Sequence, residues 1–142
     1  MDGYVIAYDF GTTGLKTCVF EISDSIRLIA STMEGYELHI VGDGGAEQDP
    51  NDWWNAMINT TKDVLLQNDI SKEDIKGISF CAQMQGLVLV DKDGKPVRPA
   101  MSYMDNRAWR EMEENIAHGP QVAGVNVFKL LKSIRITGAV SA

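Results

Sequence analysis

Asp9-Phe10-Gly11-Thr12-Thr13-Gly14-Leu15-Lys16 is the stretch that decides how this chain is read. It stands between two short segments of β-formers, Tyr4-Val5-Ile6-Ala7-Tyr8 before it and Lys16-Thr17-Cys18-Val19-Phe20-Glu21-Ile22 after it. Gly11 and Gly14 permit a tight turn whose backbone N–H groups can approach an anion without side-chain obstruction. Thr12 and Thr13 add hydroxyl donors and Lys16 adds a positive charge. Asp9, closing the first strand, is a carboxylate suited to a hydrated Mg2+. The turn joins two strands and no helix follows it, so it is not a Walker loop. A plain Gly-Thr hairpin turn is the alternative that the pattern alone leaves open.

Working outward, Ser23-Asp24-Ser25 is a polar turn, and Ile26 to Met33 and Tyr36 to Val41 read as further extended pieces. The connections among the first three strands are too short for a crossover helix, so antiparallel pairing is expected. Gly42-Asp43-Gly44-Gly45 reads as a flexible loop. A helix then starts with Asp49 as N-cap, Pro50 at the first position and Asp52 in the first turn. Trp53, Trp54, Met57, Ile58, Thr61, Val64 and Leu65 recur at helical spacing, so one face of that helix is expected on the sheet, with both Trp in the core. Ser71 is placed to cap a short turn through Asp74. Ile75 to Cys81 and Leu87 to Val90 read as strands, and the Asp91-Lys92-Asp93-Gly94 turn makes the second of these part of a hairpin. Ala100 to Tyr103 is extended. Asp105 is a candidate cap for a helix with Ala108, Trp109, Met112 and Ile116 on its apolar face, ended by Gly119-Pro120, and Val127 to Ile134 is a further helical stretch.

Of the 142 residues, 44% are hydrophobic and 23% charged, ordinary values for one soluble globular domain. Lys and Arg number 13 against 20 Asp and Glu, a formal net charge of −7 that repels phosphate backbones and argues against nucleic acid as a partner. No apolar run approaches the roughly 20 residues that span a bilayer, so no membrane role is expected. The only cysteines, Cys18 and Cys81, lie in strand-like segments and are expected as buried free thiols, which fits a cytoplasmic location. His39 and His118 are isolated from both, so no zinc spacing exists. Gly138 to Ala142 gives the chain neither a charged tail nor a clear stop, which fits either a frayed terminus or a chain cut from a longer one.

Asp-x-Gly-Thr-Thr-x-x-Lys resembles the first phosphate motif of the superfamily that holds actin, hexokinase and the heat-shock chaperone ATPases. Within it, the match is to the FGGY carbohydrate kinases, and three further segments agree in order and spacing. Glu47-Gln48-Asp49-Pro50-x-x-Trp53-Trp54 is similar to the family's Glu-Gln-Asp-Pro helix start. Ile78-Ser79-Phe80-Cys81-Ala82-Gln83-Met84-Gln85-Gly86 is similar to the xylulokinase-type Gly-Gln-Met-His-Gly turn. Arg98-Pro99-Ala100-Met101-Ser102-Tyr103-Met104-Asp105-Asn106-Arg107 is similar to Arg-Pro-Ala-Ile-Leu-Trp-x-Asp-x-Arg.

The resemblance implies an α/β fold: a ribonuclease-H-like N-terminal domain over residues 1–142, with a mixed sheet and flanking helices. It implies that the parent enzyme transfers the γ-phosphoryl group of ATP, with Mg2+, to a hydroxyl of a ketopentose such as xylulose or of a related sugar or polyol. By position, Gly11, Thr12, Thr13 and Lys16 would bind the ATP phosphates and Asp9 the Mg2+ shell. Gln83, Met84, Gln85, Tyr103 and Asp105 would form the sugar pocket. Tyr103 as plain core and Asp105 as a mere helix cap are the alternatives at those positions. Gln85 stands where xylulokinases have His and Tyr103 where they have Trp. The family's proton-accepting aspartate and adenosine-binding glycines are expected beyond residue 142, so this chain is expected to be the first part of a longer enzyme and inactive alone. An apolar surface along Val127 to Ile134 would then invite self-association into a homo-oligomer. An ATPase of actin or chaperone type, or a non-catalytic interaction module keeping the fold, are the competing readings.

Overall fold

The computed structural model describes residues 3–116, 120–122 and 125–137. They belong to two compact units, Met1–Asp105 and Asn106–Ala142. The first is built on a four-stranded sheet. β1 (Gly3–Phe10), β2 (Gly14–Ile22) and β3 (Ile26–Gly35) form an antiparallel meander, as their short connections require. β1 and β2 pair from Gly3↔Ile22 to Phe10↔Leu15, so the ladder runs to the mouth of the Gly-rich turn. β4 (His39–Val41) and β5 (Gly45–Gln48) follow, then α1 (Pro50–Gln67), then β6 (Ile75–Ala82). β6 pairs in parallel with β1, giving the order β3-β2-β1-β6 and the mixed α/β sheet that the resemblance implies. β7 (Ala100–Met101) completes a second, three-stranded sheet in the order β4-β5-β7.

Period-two alternation sorts the side chains of β1 and β2 between two faces. Ile6, Tyr8, Leu15, Thr17 and Val19 are buried, and Ala56 and Val64 of α1 join the apolar members of this set in one core. The helix begins as its sequence dictates: Asp49 accepts a hydrogen bond from the Asn51 N–H at 2.8 Å, and Pro50 takes the first position. Its buried stripe is a correction, however. Ala56, Thr60 and Val64 face the sheet, whereas Trp54 is 61% exposed and Trp53 half-buried. Small residues let the helix approach the strands closely, and the Thr60 hydroxyl meets that of Thr17 at 2.7 Å inside the core. A stripe of Ala and Thr carries little hydrophobic signal, so the larger residues beside it draw the eye.

Other expectations need similar adjustment. Gly45 to Gln48 is a strand rather than the end of a flexible loop. Gly45, Ala46 and Gln48 are all buried there, and small or polar residues conceal a strand from a pattern search. Leu87 to Val90 is not a strand. Leu87 makes one isolated bridge to Met101 and Val90 one to Pro96, around a turn in which Asp91 accepts from the Asp93 and Lys95 N–H groups. The cysteines are free thiols, but only Cys18 is partly covered. Cys81 is exposed, because β6 takes the edge of the sheet.

The second unit contains α2 (Trp109–Ile116), a hairpin of β8 (Gln121–Val122) and β9 (Val125–Asn126), and α3 (Val127–Thr137). α2 starts at Trp109, so Asp105 is not its cap. Phe128 and Leu131 of α3 are 70% and 58% exposed, in keeping with the apolar surface expected there. Gly119, His118 and the Gly138–Ala142 ending lie outside the described residues. No helix among the described residues is long and apolar enough to cross a membrane.

Candidate functional site

The turn between β1 and β2 is held from one side. Tyr36 donates its phenolic hydrogen to the Gly11 carbonyl at 2.5 Å and its backbone N–H to the Thr13 carbonyl at 3.2 Å. The Gln48 amide nitrogen donates to the Thr12 carbonyl at 2.8 Å. Within the turn, the Gly11 N–H closes on the Gly14 carbonyl at 3.0 Å. In a planar trans peptide, N–H and C=O point in opposite directions. Fixing the Gly11 carbonyl on Tyr36 and the Thr12 carbonyl on Gln48 therefore points the Thr12 and Thr13 N–H groups away from those partners, as donors left for another acceptor. Gly14 is required for space: a Cβ there would lie 2.7 Å from the Glu34 carbonyl oxygen.

Asp9 and Lys16 stand directly opposite each other at the mouth of this turn, in register on the antiparallel ladder. Both are exposed, and among the described residues neither enters an ion pair. A carboxylate and an ammonium are thus available beside the donors. No group of three or more His, Cys, Asp or Glu that could hold a metal gathers among the described residues. A single free carboxylate nevertheless suits Mg2+, which keeps most of its waters and shares one or two carboxylates with substrate phosphates. Asp9 is the residue that would hold it.

Tyr36 feels this site. Burial, and then the nearby Asp9 charge, push its phenol up to about 12 from the usual 10. A raised pKa means the folded state keeps the proton longer than the unfolded chain does. The stabilisation from protonated Tyr36 is therefore complete below pH 10 and is lost as pH rises through about 12. Between these values the wild-type chain should lose stability with rising pH more steeply than Tyr36→Phe, measured by urea unfolding at a series of pH values. Parallel slopes would show that Tyr36 is not so held.

The other predicted site residues are less uniformly placed. Gln83, Gln85 and Gly86 line a cavity of about 190 Å³ with Phe10, Trp53, Ala82, Val88, Met101 and Ser102. Gln85 holds a left-handed backbone, φ 64°, uncommon for a residue with a side chain and frequent at functional turns. Two of these residues carry a buried polar atom, Trp53 Nε1 and Gln83 Oε1, without a partner among the described residues. One unpaired donor and one unpaired acceptor thus belong to residues that form an apolar cavity, and buried polar groups of this kind are ordinarily paired. Met84 and Tyr103, 79% and 51% exposed, are not in the wall. Asp105 is also outside it, and accepts from the Ala46 backbone N–H at 3.1 Å.

Tyr36, Gln48 and Trp53 escaped the residue-by-residue reading as site groups. Gln48 sat inside a quoted motif, yet nothing in the sequence shows that its side chain reaches back to Thr12.

The model of the N-terminal domain of the FGGY family of carbohydrate kinases matches residues 4–131. A xylulose kinase of Staphylococcus xylosus is 38% identical over 111 residues, covering 78% of this chain and 22% of that protein. A glycerol kinase of Rhizobium meliloti is 30% identical over 108 residues, 75% of this chain and 21% of that protein. The crystal structure of a protein described as a xyloylose kinase from Brucella ovis superposes with a TM-score of 0.72 at 23% identity, covering 93% of this chain and 28% of that one. The chain therefore spans about a fifth of the length of these curated relatives.

Proposed function

We propose, from the premise that this chain belongs to the FGGY family of carbohydrate kinases, that it is the N-terminal part of a longer enzyme transferring the ATP γ-phosphoryl group to a hydroxyl of a ketopentose or related polyol. The observation that carries the proposal is the turn fastened by its carbonyls, with its N–H groups turned outward beside Asp9 and Lys16. Phosphoryl transfer is catalysed mainly by positioning and by stabilising charge on the phosphate oxygens. The Thr12 and Thr13 N–H groups and the Lys16 ammonium supply fixed positive potential for that charge. Thr hydroxyls can follow the oxygens as they move. Asp9 would hold Mg2+, which supplies charge neutralisation between the phosphates when bound. The carbonyl clamps mean that the turn needs little reorganisation on binding, which is what makes such donors effective.

For the acceptor, the cavity beside Gln83 and Gln85 supports a sugar reading. A sugar offers hydroxyls to amide side chains such as those of Gln83 and Gln85 and C–H faces to Phe10 and the Trp53 ring, all residues that line the cavity. Met84, Tyr103 and Asp105 remain proposed members of a wider pocket. Motor-type ATPases need no such cavity, which favours the kinase over that reading. The test is coupled ADP detection with the full-length enzyme, ATP, Mg2+ and xylulose, ribulose, glycerol and erythritol in turn. Sugar-dependent ADP release is expected; release indifferent to every sugar would favour the ATPase.

Gln85→Ala is expected to change the preference among these sugars. An amide at the cavity mouth selects for hydroxyls it can pair, and its loss leaves the partner groups unsatisfied. Ratios of kcat/KM across the panel should shift by about 10-fold for the preferred sugar, the scale of one lost polar contact. An unchanged profile would remove Gln85 from the pocket.

A further inference from the structure

Gln48 is 1% exposed, the last residue of β5 and the one before the Asp49 cap. A side-chain amide so buried must place both its donors and its acceptor. Its nitrogen donates to the Thr12 carbonyl at 2.8 Å and, at longer range, to the Glu37 carbonyl at 3.4 Å. Carbonyls only accept, so the amide has one orientation: nitrogen toward the turn, oxygen away from it. That oxygen accepts from Gln83 Nε2 at 2.8 Å. The second amide is fixed in consequence, and its own oxygen is buried without a partner among the described residues. The Gln83 backbone N–H also donates to the Phe10 carbonyl at 2.8 Å, which keeps the turn in place independently of the side chain. A hydrogen-bond chain of single polarity thus runs from Gln83, a residue that lines the cavity, through two amides to the carbonyl of Thr12.

We infer that Gln48 is a positioning residue that couples the phosphate-binding turn to the substrate turn, through its paired bonds to the Thr12 carbonyl and to Gln83 Nε2. This inference rests on the reading of those two turns given under Proposed function. A substrate that shifts or polarises the Gln83 side chain acts through the Gln48 amide on the bond that holds Thr12, because bonded amides polarise one another. The Thr12 carbonyl belongs to the same peptide unit as the Thr13 N–H, so the acceptor side and the nucleotide side share one rigid element. Displacement of reacting groups by about 1 Å can cost on the order of 10²-fold in rate, so such a tie has room to matter.

The experiment uses the full-length enzyme with Gln48→Met, Gln83→Met and the double variant, each checked for native near-UV circular dichroism. KM is measured for ATP and for sugar separately, and Mg2+-ADP affinity by calorimetric titration. Gln83→Met is expected to weaken nucleotide binding about three- to tenfold, the worth of one hydrogen bond, although Gln83 lies on the sugar side. Gln48→Met should likewise raise KM for sugar. The double variant should be no worse in kcat/KM than the more severe single one, because both act through one bond. Unchanged nucleotide affinity in Gln83→Met, or effects that multiply in the double variant, would overturn the coupling. If Gln48→Met fails to fold, nucleotide affinity in Gln83→Met decides alone. That affinity also separates the two claims: weakening in an enzyme that turns over no sugar offered supports the relay and rejects the acceptor reading.

Discussion

Asp9→Ala in the full-length enzyme is expected to lower turnover by about 10²-fold or more, the scale seen when one charge-stabilising group is removed from an active site. The fold should be untouched. Asp9 is exposed at the end of β1, opposite Lys16, and its side chain fills no part of the core. Surface substitutions of that kind usually change stability by no more than about 0.5 kcal/mol. Loss of rate with retained thermal stability is therefore the signature to look for, by coupled ADP detection and a thermal melt on the same preparation. Asp9→Asn keeps the shape but not the charge and should fall nearly as far. Wild-type turnover in either variant would remove Asp9 from the Mg2+ and nucleotide site.

Residues 1–142 alone are expected to show no sugar-dependent ADP release above background. The cavity wall contains Phe10, Trp53, Ala82, Gln83, Gln85, Gly86, Val88, Met101 and Ser102, and none of these can accept a proton near neutral pH. Asp105, the carboxylate expected beside the sugar pocket, accepts from the Ala46 N–H. A positioned general base contributes about 10²–10⁴-fold. Enclosure of the reacting groups contributes further through orientation and exclusion of water. Losing both should leave turnover below detection however well Asp9 and Lys16 are placed. Robust sugar-dependent release by this piece would require a base among its own residues, with Asp105 the first to replace.

Much of this was legible in the sequence. β-formers flanking a Gly-Thr turn placed β1 and β2, and Asp49-Pro50 marked the start of α1, because such signals are local and each residue acts where it stands. The Gly-Thr turn between β1 and β2 was legible for the same reason. What escaped depends on contacts distant in sequence. The buried stripe of α1 is Ala56, Thr60 and Val64, and its polar member is explained only by Thr17, 43 residues away. Gln48 reaches Thr12 across 36 residues and Gln83 across 35, and a buried amide has no pattern that announces its partners. Asp105 reads as a helix cap by type and position, yet its carboxylate is taken by a backbone N–H 59 residues upstream. Cys81 read as core because β6 is apolar. Whether a strand lies at the edge or the centre of a sheet is not written in its own residues.

Following the γ-phosphoryl group of ATP distinguishes a sugar kinase from an ATPase in one measurement. The full-length enzyme, given γ-labelled ATP, Mg2+ and each of xylulose, ribulose, glycerol and erythritol, should place the label in a phosphorylated sugar or polyol, separable by chromatography. Little label should appear as inorganic phosphate, and Asp9→Ala should abolish the transfer. Label recovered as inorganic phosphate at the same rate with and without every acceptor would contradict the account and make the protein an ATPase.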